Sequence, residues 1–232
     1  METKIVFKNG DDPMARLITV LDKGFVELVD YLGSDQRIID AARVSTGTKS
    51  DPERDTQLIN YLMKNRHETP FEKVVFEFHV KCPLFVARQW MRHRISSFNE
   101  RSARYRVFEE EFYCPQLEDI PECYTEEDLV EYCEALEAQF AVYEKLYKKA
   151  ETHPEWRRRA REVWRGLLGT SYYTEFFWTV NFRALMNFLE LRLDPAAQFE
   201  IRQYAKAIRQ LVRESGVISI SFAAFEKRLN EK

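Results

Sequence analysis

Between Lys73 and Val80 the chain alternates, with Val74, Phe76, Phe78 and Val80 on one side and Val75, Glu77 and His79 on the other. That is the two-residue period of a half-buried strand, on which His79 reads as a strand-surface residue. Directly after Cys82 and Pro83 the period changes to that of a helix, over the segment LFVARQWMRHR. Beyond it, ISSFNERSARYRVF is too polar and broken to continue the helix. A fold for this chain must seat both periods side by side, and their junction concentrates unusual chemistry.

The rest of the sequence mixes the same two periods. Residues Leu17 to Asp30 alternate around Lys23 and Gly24, with Phe25, Glu27 and Val29 opposing Val26 and Leu28, as in a short hairpin. One helix is predicted near Asp35 to Arg43. A second opens at Ser50, Asp51 and Pro52 with cap and first-turn chemistry and runs to about Lys64. Glu126 to about Thr152 reads as a long helix, and His153-Pro154 restarts another that carries Arg157, Arg158, Arg159, Arg161 and Arg165, mostly as a solvated face. Ser171 to Val180, aromatic and β-branched, reads as a strand. Helices follow from Asn181 to about Leu193 and from Pro195 to about Glu214, the second with Asp194 as cap and Pro195 in its first position. No repeat, low-complexity tract or Gly/Ser linker divides the chain, so one α/β (α+β) domain is expected over residues 1–232.

Composition narrows the partners. The net charge is only −3 although 31% of residues are charged, so an anionic ligand must be met by a local cluster and nucleic acid is not the expected partner. No apolar run approaches the roughly 20 residues that span a bilayer, and METKIVFKNGDDP lacks an apolar signal core, so a cytoplasmic protein without a membrane partner is expected. The four cysteines, Cys82, Cys114, Cys123 and Cys133, form no C-x-x-C pair; reduced structural thiols and no metal site are expected. None of the seven glycines builds a phosphate-binding loop motif, so side chains must hold any nucleotide.

On a continuous helix Gln89, Arg92 and His93 fall within about a quarter turn, with Arg88 one turn below Arg92. Guanidinium forks match phosphate oxygens and Gln can read an amide-like edge such as that of uracil, so this face suits a nucleotide. It equally suits a surface helix with ion pairs to nearby acids. Asn99, Glu100, Ser102 and Arg104 follow in a short irregular stretch with the makings of a ligand clamp.

The string from Arg92 to Ser102, RHRISSFNERS, matches R-H-R-x-x-S-x-N-E-x-S at every specified position. In this the chain resembles the flavin-dependent thymidylate synthases. The resemblance extends to RHETPFE around His67, to FFWTVNFRALMNFLELR from Phe176 to Arg192, and to the run from Ala197 to Ile201, covering most of the chain between about Ala15 and Val217. It implies the fold of the thymidylate synthase-complementing proteins, a central antiparallel-rich sheet flanked by long helices. It also implies a homotetramer whose active sites draw on several subunits.

For dUMP the resemblance implies Gln89, Trp90, Met91, Arg92, Glu100, Ser102 and Arg104, with Arg101 and Ala103 contributing mainly backbone groups, and Arg165 and Arg192 from elsewhere in the chain. For FAD it implies His67, Thr69, Glu72, Arg92, His93, Arg94, Ile95 and Glu100, then Asn181, Phe182, Arg183, Asn187 and Leu191. Arg183, Asn187 and Leu191 recur at i, i+4 and i+8 and so share a helix face, which suits a flavin wall or a buried polar helix contact. At Ala196 some relatives carry a histidine near flavin and folate, which bears on the folate contacts.

The implied reaction is reductive methylation of dUMP to dTMP, with NADPH reducing FAD and 5,10-methylenetetrahydrofolate supplying the carbon. Methylating uracil at C5 requires making that carbon nucleophilic; one route is to stabilise negative charge across N3 and O4, which suits a fixed arginine, and Arg192 is the expected catalytic residue. No cysteine lies in the motif, so the flavin must carry more of the chemistry. Ser102 reads as a dUMP ligand, having no legible partner base. Two rivals remain. One is a nucleic-acid module using Arg88, Arg92, Arg94, Arg101 and Arg104 with Trp90, Phe98 and Tyr105 as stacking groups, disfavoured by a pI near 5.9 and by Glu100. The other is a different flavin reductase on the same scaffold.

Overall fold

Alternating apolar residues give the central strands of a six-stranded antiparallel sheet a common buried face. The computed structural model describes residues 5–7, 16–44, 47, 51–105 and 107–231. In chain order the elements are β1 (Ile5–Phe7), β2 (Arg16–Val20), β3 (Gly24–Leu32), α1 (Asp35–Arg43), α2 (Pro52–Lys64), β4 (Val75–Pro83), α3 (Leu84–Trp90), β5 (Ser97–Glu100), α4 (Glu126–Lys149), α5 (Arg157–Trp164), β6 (Tyr173–Asn181), α6 (Phe182–Arg192), α7 (Phe199–Ser215) and α8 (Ser219–Asn230). The strands form one antiparallel sheet in the order β1-β2-β3-β4-β6-β5.

Val26, Phe76, Phe78, Val80, Phe176 and Trp178 line its buried face, against α3, α6 and α7. Each such side chain contributes roughly 1.5–3 kcal/mol on burial. The alternation read at Lys73–Val80 is the observed one, and β3 carries a bulge between Leu28 and Asp30. On the opposite face His79 stacks on Phe177 with ring centroids 4.6 Å apart, and Phe25 meets it edge-on. Gly24 opens β3 where a Cβ would run into the Tyr204 hydroxyl and the Val20 carbonyl, so the close approach of α7 there requires glycine.

The helix predicted at Asp35–Arg43 is α1, and α2 begins at Pro52 with the Asp51 side chain accepting from the Arg54 amide. Ser50, expected in that cap, and Ala15 lie outside the described residues. The long helix predicted from Glu126 is α4, with Thr125 and Asp128 in a capping box. Phe108, Phe112 and Tyr172 form a second small core beneath it.

Four expectations are corrected. The helix after Pro83 stops at Trp90, so Arg92 and His93 do not share a helical face with Gln89. Trp90 is fully buried among Phe176, Trp178, Phe188 and Tyr204, and the chain must turn back there to reach the sheet edge. The stretch taken as irregular contains β5, which pairs with β6 through Phe98, stacked on Trp178. Asp194 does not cap a helix at Pro195: its carboxylate accepts from the Ala196 amide at 2.8 Å in a local turn, and α7 starts at Phe199. Finally, Cys114 and Cys133 form a disulfide, their Cα atoms 6.2 Å apart where α4 passes the loop that follows β5, leaving Cys82 and Cys123 as thiols. The helix α8 was not anticipated. Among the described residues no helix is long and apolar enough to cross a membrane, and no cluster could hold a metal ion.

Candidate active site

The first two amides of α3, which a helix leaves without internal partners, bond to the carbonyls of Tyr172 and Thr170. This fixes the helix against β6, and the buried Trp90 ring fixes its end. The turn that follows therefore projects Arg92, His93, Arg94, Ile95 and Ser96 as a rigid rim. Facing it is the α6 stripe of Arg183, Asn187 and Leu191, with Arg192 one residue further on. A 3₁₀ turn at Thr69–Lys73 and the residue before it add Glu72 and Glu68. Together they enclose a cavity of about 470 Å³, within the usual size range of a small-molecule site.

Within it Arg183 is tied to Glu72 at 2.6 Å and to Glu68 at 3.5 Å. Arg192 donates through Nε to Nε2 of His93 at 3.0 Å and through Nη2 to the Gln89 carbonyl at 3.2 Å. Burial, then the adjacent Arg192 charge, lower the His93 pKa from 6.5 to about 4, so the ring is neutral near pH 7. Burial likewise lowers the Arg192 pKa from its ordinary value. Four guanidinium groups (Arg92, Arg94, Arg183 and Arg192) thus face two carboxylates (Glu68 and Glu72), and the cavity carries a surplus of positive charge.

A second cavity, of about 510 Å³, opens at the far end of β5. Glu100, Arg101, Ser102 and Ala103 enter it from the strand end, Glu162 and Arg165 from α5 and the turn after it, and Tyr172 and Thr174 from the β6 side. Thr174 donates to Glu100 at 2.8 Å, and Arg104 reaches Glu162 at 3.2 Å. The backbone N–H of Arg101 is spent on the Glu175 carbonyl. The Arg101 guanidinium lies over the Phe108 ring, and its Nε and Nη2 are buried without a hydrogen bond. Buried donors of this kind call for an acceptor, and an anion supplies one.

The residues implied for dUMP and FAD are divided between two cavities. Glu72, the Arg92–Ile95 turn, Asn181, Arg183, Asn187, Leu191 and Arg192 line the first cavity; Glu100 to Ala103 and Arg165 line the second. Glu100, expected at the flavin, lies with the second group. Gln89 is bonded to Gln198, while His67 and Thr69 are exposed beside the first cavity without lining it. The side chains of Trp90 and Phe182 are fully buried in the core, where neither can touch a ligand, and Met91 packs against the same core. Glu68, Ser96 and Ala184 in the first cavity, and Glu162 and Thr174 in the second, were not singled out; Glu68 stands inside the RHETPFE string, Ser96 inside RHRISSFNERS and Ala184 inside FFWTVNFRALMNFLELR, which were the available signals.

Residues 27–215 match the family described as thymidylate synthase complementing protein. The chain is 50% identical over 202 residues to the flavin-dependent thymidylate synthase of Thermosipho melanesiensis, covering 84% of this chain and 88% of that one. The chain belongs to this family. The flavin-dependent thymidylate synthase of Thermus thermophilus is 46% identical over 226 residues, covering 92% of this chain and 80% of its own. Among solved structures, the UMP/dUMP methylase PolB from Streptomyces cacaoi bound with 5-Br dUMP superposes with a TM-score of 0.76 at 31% identity, covering 90% of this chain and 97% of that one. As in the motif itself, no cysteine lines either cavity, so the chain presents no thiol nucleophile at either place.

Proposed function

We propose that the chain converts dUMP to dTMP by flavin-dependent reductive methylation, with the first cavity as flavin site and the Arg101–Arg165 cavity as a nucleotide-phosphate site. The observation that supports it most is the convergence of two segments distant in sequence, the Arg92–Ile95 turn and the α6 stripe, on one positively charged cavity. The residues fit FAD: the guanidinium groups of Arg92, Arg94 and Arg183 suit a pyrophosphate, and Ile95, Val180, Ala184 and Leu191 offer apolar wall to a flat ring. When bound, FAD supplies hydride chemistry, carrying reducing equivalents from NADPH to the one-carbon unit that 5,10-methylenetetrahydrofolate donates, with tetrahydrofolate released.

The chain's own work is binding and polarisation. Arg192 offers its remaining N–H groups to the N3–O4 edge of uracil, where negative charge develops as C5 becomes nucleophilic. Arg101, Ser102 and Arg165 hold the phosphate. The two cavities share no lining residue, and β5 separates them by roughly 13 Å along its length. A nucleotide that needs both sets is best served when a second copy of the chain brings its Arg101 loop to the first copy's Arg192, as in the homotetramer the family implies. The cytoplasm, where nucleotides, folate and NADPH meet, is the setting that suits this activity.

Purified protein should be yellow and should form dTMP from dUMP only with FAD, NADPH and methylenetetrahydrofolate all present. Because PolB is described as a UMP/dUMP methylase, UMP is assayed beside dUMP. A flavin spectrum and NADPH oxidation without any methylated product would favour the reductase reading.

A further inference from the structure

The guanidinium of Arg192 is held along one edge. Its Nε is spent on His93 and its Nη2 on the Gln89 carbonyl, while Nη1 has no hydrogen bond among the described residues. His93 is itself braced. Its backbone N–H donates to the Trp90 carbonyl at 3.0 Å, and its carbonyl accepts from the Ser96 hydroxyl at 2.7 Å. Its ring meets Phe188 edge-on at 4.9 Å, and Phe188 is fully buried on the same helix that carries Arg192. The imidazole belongs to the frame of the cavity as much as to its lining.

Arginine has only donors, so Nε2 of His93 must present a lone pair and the ring proton must sit on Nδ1. The depressed pKa of His93 keeps that neutral form in place near pH 7. We propose that His93 is a positioning residue for Arg192: as the Nδ1–H tautomer it locks the Nε edge of the guanidinium, so that the Nη1 end is aimed at the pyrimidine of the nucleotide. The proposal rests on the assignment of Arg192 to dUMP made above. A flexible arginine would have to be ordered by the nucleotide itself, whereas this one is pre-ordered by the protein.

The test is a double-mutant cycle on dUMP affinity, measured by calorimetry on the flavin-loaded protein. His93→Phe keeps the ring packed on Phe188 but removes the acceptor; measured at saturating FAD, it should weaken dUMP about tenfold. His93→Gln, whose amide oxygen can accept from Arg192, should recover most of that loss. In an Arg192→Ala background His93→Phe should change affinity less than about twofold. A tenfold effect that persists without Arg192, or a His93→Gln as weak as His93→Phe, overturns the lock. A dUMP loss that disappears once added FAD restores full flavin occupancy overturns it too and makes the ring a cofactor contact alone. Unchanged dUMP binding in Arg192→Ala alone overturns the Arg192 assignment, and the lock with it. If His93→Phe does not fold, His93→Leu removes the same acceptor with less bulk.

Discussion

Arg192 and Arg101 are cations in opposite situations. Arg192 is braced by an imidazole and a carbonyl, so removing it should leave the cavity standing: Arg192→Ala is expected to keep its flavin while dTMP formation falls about a hundredfold or more, in line with loss of a preorganised donor to developing charge. Turnover near that of the parent would reject its role. Arg101 keeps two buried donors without acceptors, a cost that a bound phosphate would remove. Arg101→Met should therefore raise the melting temperature of the ligand-free protein while weakening dUMP about tenfold; a drop in both would show the guanidinium to be structural. His93 adds a pH signature. Its folded pKa of about 4 lies below the ordinary 6.5, so between those values the unfolded chain binds a proton that the native ring refuses. Its contribution to stability falls as pH drops from about 6.5 to about 4 and is constant below that. Denaturant titrations at pH 7, 5.5 and 4.5 should show a shallower pH slope for His93→Gln than for the parent.

At the scale of elements, short pieces carry the site. The α3 helix has seven residues, and only because it stops at Trp90 does the RHR string become a cavity rim in place of a solvated helix face. The four-residue β5 holds the next part of the motif in register with β6, so that Ser96 just before the strand lines the first cavity and Glu100 at its end lines the second. The C-terminal α8 is tied to this assembly from both ends. The Asp35 carboxylate of α1 accepts from the Ile220 and Ser221 amides at 2.9 Å each, and Arg228 bridges Glu68 at 3.0 Å and Glu190 at 2.5 Å. Asp35→Ala should cost about 1–2 kcal/mol in unfolding free energy by denaturant titration, the loss of a charged cap. Since Glu68 also holds Arg183, Arg228→Met should lower flavin affinity as well as stability; unchanged flavin binding would separate α8 from the cavity.

For the whole molecule, the division of the expected nucleotide residues between two cavities points outward, to assembly. A native mass close to four times 27.7 kDa is expected by light scattering, with dTMP formation lost on dilution to single chains. Full activity in an isolated chain would mean that one cavity suffices. The disulfide gives an independent measurement: thiol titration of the denatured, unreduced protein should find two cysteines, Cys82 and Cys123, and four after reduction.

Much of this was legible in order along the chain. The alternation of Val74, Phe76, Phe78 and Val80 located β4, Asp51 and Pro52 marked the start of α2, and the residues picked out at Arg92–Ile95 and in the α6 stripe are ones that line the first cavity. These features are local: a face of a strand, a cap, or a helical stripe is set by residues a few positions apart. What local pattern could not reveal was decided by contacts between distant segments. Nothing in Arg92 to Arg94 forbids a helix; the burial of Trp90 between β6, α6 and α7 ended it. One apolar residue, Phe98, shows no period, and the open edge of β6 made β5 a strand. The pairing of Arg192 with His93 joins positions 99 residues apart. Local sequence determined most of the elements and the chemistry they carry; the packing of the sheet against its helices and the pairing at its edge decided where α3 stops and that β5 forms, and hence which charges meet.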